Sequence, residues 1–420
     1  MRPILVAACL PALISAAPRE WTRYTLDDPS ASCLDGSPGS YYVLPSDPSS
    51  SSSSSFLLHL QGGGWCTSPE SCRARAFDGP VYAGEPSLGS STLWGPGPCT
   101  PALANSTPPC VADGGSGGLL SSNETVNPTF WGATKVWIGY CSGDSFAGAL
   151  AAPFPVNATA SVLFRGSAIL RATIADLAAR HGLARADAVL LKGCSAGGVA
   201  VFYNADMVRD LVAAVAPAAR FAALPGAGVF LDARAFSGAD LVEPVFRWIF
   251  EAANISATGS AACHAAYGAA DAWRCLFVAD ALRFIASDLF VANSLADAAS
   301  QSFIMDLPCA PQSGTCSPAA LAYLDAFSEQ MIANLSVVLA PGSRHGAFLL
   351  TCSVHMVENV DGAVDAIRVG GRTLADVFRA WWTRDASAPH VAVDAVWTKG
   401  AGRVGGNPDC DQYGPLPSRP

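Results

Sequence analysis

The sequence predicts an α/β fold, a mostly parallel central sheet flanked by helices and tied by disulfide-rich loops. Three observations carry that prediction. Short apolar runs of strand character alternate with longer runs of helical periodicity, a serine stands between glycines where one strand-like run passes into a helix-like one, and a triple glycine follows another apolar run. The alternation matters because parallel neighbours in a sheet must be joined by a crossover, and a helix is the usual one.

The strand-like runs are YYVLP (41–45), FLLHL (56–60), KVWIGY (135–140), AVLLKG (188–193) and LFVANS (289–294). Between and after them, residues 161–182, 195–216, 317–338 and 372–384 read as helices. In 195–216, Val201, Val208, Leu211, Val212 and Val215 share one face while Asp206, Arg209 and Asp210 point elsewhere, and Pro217 ends the run. The serine tract at 46–55 is too polar to join a core and joins two strand-like runs, so it reads as a solvated hairpin loop. A Gly/Pro-dense insertion at 95–118 holds Cys99 and Cys110, which can pin it. Neither insertion divides the chain, no internal repeat is visible, and residues 18–420 read as a single domain.

Composition excludes several function classes. Half of the 420 residues are apolar, enough for a large core, and the net charge of -9 opposes a nucleic acid or an anionic membrane surface as partner. Residues 1–17 carry Arg2, then an apolar run, then Ser15, Ala16 and Ala17, the layout of a secretory signal peptide. No later stretch has the roughly twenty unbroken apolar residues of a membrane span. Cysteine usage agrees with export. Of 14 cysteines, Cys9 leaves with the signal, and if Cys194 stays a thiol the remaining 12 can form six pairs. The close spacings at Cys66/Cys72, Cys99/Cys110 and Cys309/Cys316 lack the histidine cluster that a zinc site would add. Sequons at Asn105, Asn123, Asn157, Asn254 and Asn334 fit a secreted glycoprotein.

The chemistry centres on GCSAG at 193–197. A serine on a sharp strand-to-helix turn, with Gly193 and Gly197 leaving room for the turn to pack, is a nucleophile elbow. The helix that follows directs its N-terminus at the reacting centre, where the N–H of Ala196 favours an oxyanion. A serine hydroxyl is unreactive at neutral pH until a histidine takes its proton and an acid holds that histidine. In the α/β-hydrolase chain order of serine, acid and histidine, with the acid after a strand, Asp297 and His355 fit Ser195; Asp288 and Asp306 are weaker candidates for the acid. His59, His181, His264, His345 and His390 carry no comparable cue, whereas His355 lies in FLLTCSVHM with a cysteine able to tether its loop. The triple glycine in LLHLQGGGWC (57–66) suits a second oxyanion arm, with Trp65 as a wall of the pocket.

The segments CLDGS (33–37), HLQGGGWC (59–66), SCRAR (71–75), GYCSGDSF (139–146), GCSAGG (193–198), LFVANSLAD (289–297) and TCSVH (351–355) resemble, in order, the pectin acetylesterase family, which includes the plant enzymes and the Notum carboxylesterases. The resemblance implies an α/β-hydrolase-like fold, a Ser195–Asp297–His355 triad, and oxyanion donors on the backbone of Gly63, Gly64 and Ala196. Departures from the family pattern are Gln61 in place of a Glu, GAG at 226–228 in place of Asp-Ala-Gly or Asp-Ser-Gly, and the alanines 296, 298 and 299 around Asp297.

The expected function is a secreted serine carboxylesterase of the extracellular space or cell wall, deacetylating a polysaccharide such as pectin, with no metal and no cofactor. A Notum-like enzyme removing a longer acyl chain from a protein, a catalytically silent extracellular binding module and a serine peptidase are the alternatives. An acidic protein would repel polygalacturonate unless a basic patch, such as Arg73 with Arg75, offset its field. Oligomeric state leaves no mark on the sequence.

Overall fold

The computed structural model describes residues 19–79, 88–97 and 117–413. The expected signal segment, Asn105, and Cys99 with Cys110 lie outside the described residues.

Nine strands form the central sheet: β1 (Thr22–Thr25), β2 (Ser40–Leu44), β3 (Ser55–Leu60), β4 (Thr134–Ile138), β5 (Ala188–Cys194), β6 (Arg220–Gly226), β7 (Phe290–Ser294), β8 (Gly346–Leu350) and β9 (Val391–Val393). Their spatial order is β1-β2-β4-β3-β5-β6-β7-β8-β9. Antiparallel pairing is confined to the β1-β2-β4 edge, and every pair from β4 through β3 to β9 is parallel. The inner strands are buried along almost their whole length, which is why they read as continuous apolar runs and not as alternating ones. The helices used below are α1 (Pro69–Phe77), α2 (Gly166–Arg180), α3 (Ala196–Val215), α4 (Glu243–Ala252), α5 (Ala298–Phe303), α6 (Pro318–Asn334) and α7 (Leu374–Thr383). In α3 the side chains of Val201, Val208 and Val212 are buried, as its periodicity requires.

Two expectations change. The serine tract does not close a hairpin, because β4 lies between β2 and β3 and the connection must pass over it. The tract is also not wholly solvated. Asp47 N donates to Gly132 O at 2.8 Å, and Ser50 and Ser52 are buried with their hydroxyls 3.0 Å apart. The strands β6, β8 and β9 carry little local signal: RFAALPG is alanine-rich and contains Pro225, and GAFLL is short. Pairing with neighbours, on both sides for β6 and β8 and on one side for the edge strand β9, makes them strands, not propensity.

Among the described residues, five disulfides join Cys33 to Cys141, Cys66 to Cys72, Cys263 to Cys275, Cys309 to Cys316 and Cys352 to Cys410. The close pairs at 66/72 and 309/316 are thus bridged to each other. Cys194 is buried and forms no disulfide. No described helix is long and apolar enough to cross a membrane.

Candidate active site

Parallel strands place their carboxyl ends along one edge, and loops leaving that edge converge. Ser195 follows β5, Asp297 follows β7 and His355 follows β8, all at this edge. Between β5 and β7 runs β6, whose Gly226 is in register with Cys194 on one side and Ala292 on the other.

Ser195 takes φ 56° and ψ -125°, a backbone conformation that a residue with a β-carbon rarely adopts. It persists because both flanks are pinned. Ser195 N donates to Gly226 O at 3.1 Å, and its own carbonyl accepts the first α3 bond from Val199 N at 3.0 Å. The turn also needs its glycines. A β-carbon on Gly193 would strike the backbone of Gly197, and one on Gly197 would strike the Leu60 carbonyl. Ala196 begins α3 and is buried, so its N–H is one of the donors that a helix start leaves unmatched inside the helix.

The glycine loop leaves β3 directly beside this turn. A β-carbon on Gly62 would lie 2.6 Å from Cys194 O and 2.9 Å from Ser195 Cβ, so glycine is what lets the two backbones approach. Gly63 and Gly64 have φ of 131° and 66°. The loop carbonyls are held from behind: Arg75 donates to Gly63 O at 2.7 Å, and Tyr140 OH donates to Gly64 O at 2.9 Å. Gln61 Oε1 accepts from Tyr140 N at 2.9 Å. Trp65 Nε1 donates to Ser145 Oγ at 2.7 Å, and Ser145 Oγ donates to Ala196 O at 2.8 Å. One short chain of bonds therefore links the glycine loop to the start of α3. The Trp65 ring packs edge-on against Phe230 and Phe246, with centroids 5.1 and 5.0 Å away.

Arg75 is 4% exposed, so it belongs to the interior of this loop and forms no surface patch. Arg73 is partly exposed and pairs with Asp78 at 2.5 Å. The two residues therefore do not supply the offsetting basic patch: Arg75 donates to a backbone carbonyl and Arg73 pairs with a carboxylate.

Asp297 and His355 meet. His355 Nδ1 stands 2.7 Å from Asp297 Oδ1, and Asp297 is 2% exposed. A carboxylate only accepts hydrogen bonds, so Nδ1 carries the proton and Nε2 is left as the basic nitrogen. The histidine loop is tied upstream by the Cys352–Cys410 bridge, by Ser294 Oγ donating to Cys352 O, and by Gln301 Nε2 donating to Ser353 Oγ at 3.0 Å. The other histidines have local partners. His345 Nδ1 accepts from Leu289 N at 3.1 Å, His181 lies 3.2 Å from Tyr41 OH, His264 lies 3.2 Å from Tyr203 OH, and His390 contacts Asp385 O at 3.0 Å. Asp288 faces Arg344 at 3.6 Å, and Asp306 sits in the left-handed region at φ 47°.

Beneath the site lies a buried polar cluster that the motifs of the sequence do not mark. Lys192, His59, Glu358 and Asn359 are all fully buried. Lys192 donates to Asn359 Oδ1 and lies 3.8 Å from Glu358 Oε1 and 3.4 Å from His59 Nδ1. A lysine inside an otherwise apolar strand, AVLLKG, was the available signal, because lysine is almost never fully buried without a partner. The GAG departure belongs to the same place: a β-carbon on Gly226 would collide with the Glu358 carboxylate. No group of acidic, histidine and cysteine side chains suited to a metal ion occurs among the described residues.

Comparison with known proteins gives a consistent assignment. The pectinacetylesterase family model matches residues 21–98 and 102–401. Pectin acetylesterase 11 of Arabidopsis thaliana is 25% identical over 335 residues, 77% of this chain and 76% of the relative. Palmitoleoyl-protein carboxylesterase NOTUM of Mus musculus is 32% identical over 217 residues, 51% of this chain and 37% of the relative. The structure of the Wnt deacylase Notum from Drosophila superposes with a TM-score of 0.73 at 25% identity, covering 90% of this chain and 97% of that one. The α/β-hydrolase-like architecture expected from the sequence is thus shared with a solved relative. The chain belongs to the pectinacetylesterase family and is a carboxylic ester hydrolase.

Proposed function

We propose that the chain is an extracellular serine esterase in which Ser195, His355 and Asp297 act as nucleophile, base and orienting acid. The observation that carries this reading is the Asp297–His355 bond at the edge where Ser195 holds its strained turn. His355 Nε2 takes the Ser195 proton as Oγ attacks the ester carbonyl. The N–H groups of Gly63, Gly64 and Ala196 stabilise the tetrahedral oxyanion, and Nε2 returns the proton to the departing alcohol. Water, deprotonated by the same nitrogen, then releases the acid from the acyl-enzyme. The substrate we assign is an acetyl ester on a cell-wall polysaccharide such as pectin, as for the plant relatives. Export is supported by the leader-like residues 1–17, by the disulfides and by the exposed sequons at Asn123 and Asn157. Acetate release from acetylated pectin, abolished by Ser195→Ala, tests the assignment.

One observation favours a second reading. The apolar wall of Trp65, Phe230 and Phe246 suits a longer acyl chain, as on the protein substrate named for the Notum relatives. Comparing acetyl with octanoyl nitrophenyl esters separates the two, and a strong preference for octanoyl would replace the acetylesterase assignment. Absence of labelling by a fluorophosphonate would instead favour a binding module.

A further inference from the structure

We propose that Lys192 and Glu358 form a buried strut that sets the position of His355 relative to Ser195, which makes them positioning residues for ester hydrolysis. The inference rests on the triad reading above. Lys192 lies on β5 three residues before Ser195, and β5 is hydrogen-bonded to β3 and β6 on its two sides. Its ammonium group has no route to solvent and points to Asn359 and Glu358. Those two residues lie on the single helical turn Val357–Asn359, which starts two residues after His355.

The base is therefore anchored twice. Upstream, the Ser294–Cys352 bond refers its loop to the strand of the acid, and the Cys352–Cys410 bridge ties it to the turn at 408–413. Downstream, the chain reverses through Met356 at φ 60° and its next side chains reach the strand of the nucleophile. Only the second anchor relates imidazole to hydroxyl through a single strand. His59, in register with Lys192 and three residues before Gly62, extends the same cluster to the root of the glycine loop. Displacing a catalytic group by about 1 Å can cost roughly a hundredfold in rate, so a rigid strut between base and nucleophile acts on turnover and not on substrate affinity.

Five variants test this with nitrophenyl acetate: Lys192→Met, Glu358→Gln, both together, Glu358→Ala, and Glu358→Ala with Gly226→Asp. Each single change is expected to lower kcat about 10- to 100-fold with KM within about twofold. The double change should be no worse than the worse single, because both act through one contact. Gly226→Asp returns a carboxylate to the space that Glu358→Ala vacates, so the pair should recover most of the kcat lost by Glu358→Ala alone. Full kcat in folded single variants, a rise in KM in place of a fall in kcat, multiplicative losses in the double, or no recovery by Gly226→Asp would overturn the strut. Glu358→Gln keeps shape and volume and carries the comparison if Lys192→Met does not accumulate. Ser195→Ala separates the failures: full activity in that variant overturns the triad reading, whereas its inactivity beside fully active strut variants overturns the strut alone.

Discussion

Asp297 divides its carboxylate between two partners: Oδ1 receives His355 Nδ1 at 2.7 Å, and Oδ2 receives the backbone N–H of Ser300 at 2.7 Å. The proposed acid is thus also the N-cap of α5, and the helix start fixes the rotamer that holds the imidazole.

This double use separates catalysis from stability. Asp297→Asn keeps an acceptor for Ser300 but can offer an amide donor to Nδ1, which favours the wrong tautomer. A fall in kcat of about ten-thousandfold is expected with little change in melting temperature. Asp297→Ala should lose the cap as well, about 1 kcal/mol in urea denaturation.

Ser195 stores backbone strain that glycine would relieve. Ser195→Gly should be inactive yet more stable than the parent by about 1 kcal/mol, read as a higher urea midpoint. A lower midpoint would show that the turn is not strained.

Arg75 holds the Gly63 carbonyl by a hydrogen bond of 2.7 Å, which on the proposed mechanism sets how the Gly63–Gly64 peptide is turned. With Arg75→Met that peptide is free to rotate, and kcat should fall about a hundredfold, the scale of losing one oxyanion donor. Arg75→Lys should recover part of it, since one ammonium can still reach one carbonyl.

Burial lifts the Asp144 carboxyl to about 6, against the bonds it accepts from Ser142 and from backbone N–H groups. An acid with a raised native pKa binds its proton more tightly when folded. Its contribution to stability is therefore greatest below the ordinary value near 3.8 and declines as pH rises through about 6, by about 3 kcal/mol in all. Urea midpoints from pH 4 to 7 should show that decline in the parent protein and not in Asp144→Asn.

Much of this is legible in the residues alone. The elbow, the glycine loop and the order of serine, acid and histidine are local patterns, and each depends on a backbone shape that few residue types allow. Less legible were β6, β8 and β9, which owe their form to neighbours, and the path of the serine tract across β4. That Arg75 is interior is not legible in the sequence, because a sequence does not show which cations find a carbonyl. Lys192 could have been noticed as an ionic residue in a buried strand, but its partners lie 166 and 167 residues further along the chain.

The sequence by itself determined the family, the fold class and the candidate triad, because short-range backbone demands leave their mark on residue type. Only the tertiary structure decided that Asp297 meets His355, that Arg75 braces the glycine loop, and that Lys192 reaches Glu358. Those contacts join residues far apart along the chain, and which groups meet is set by strand order and burial.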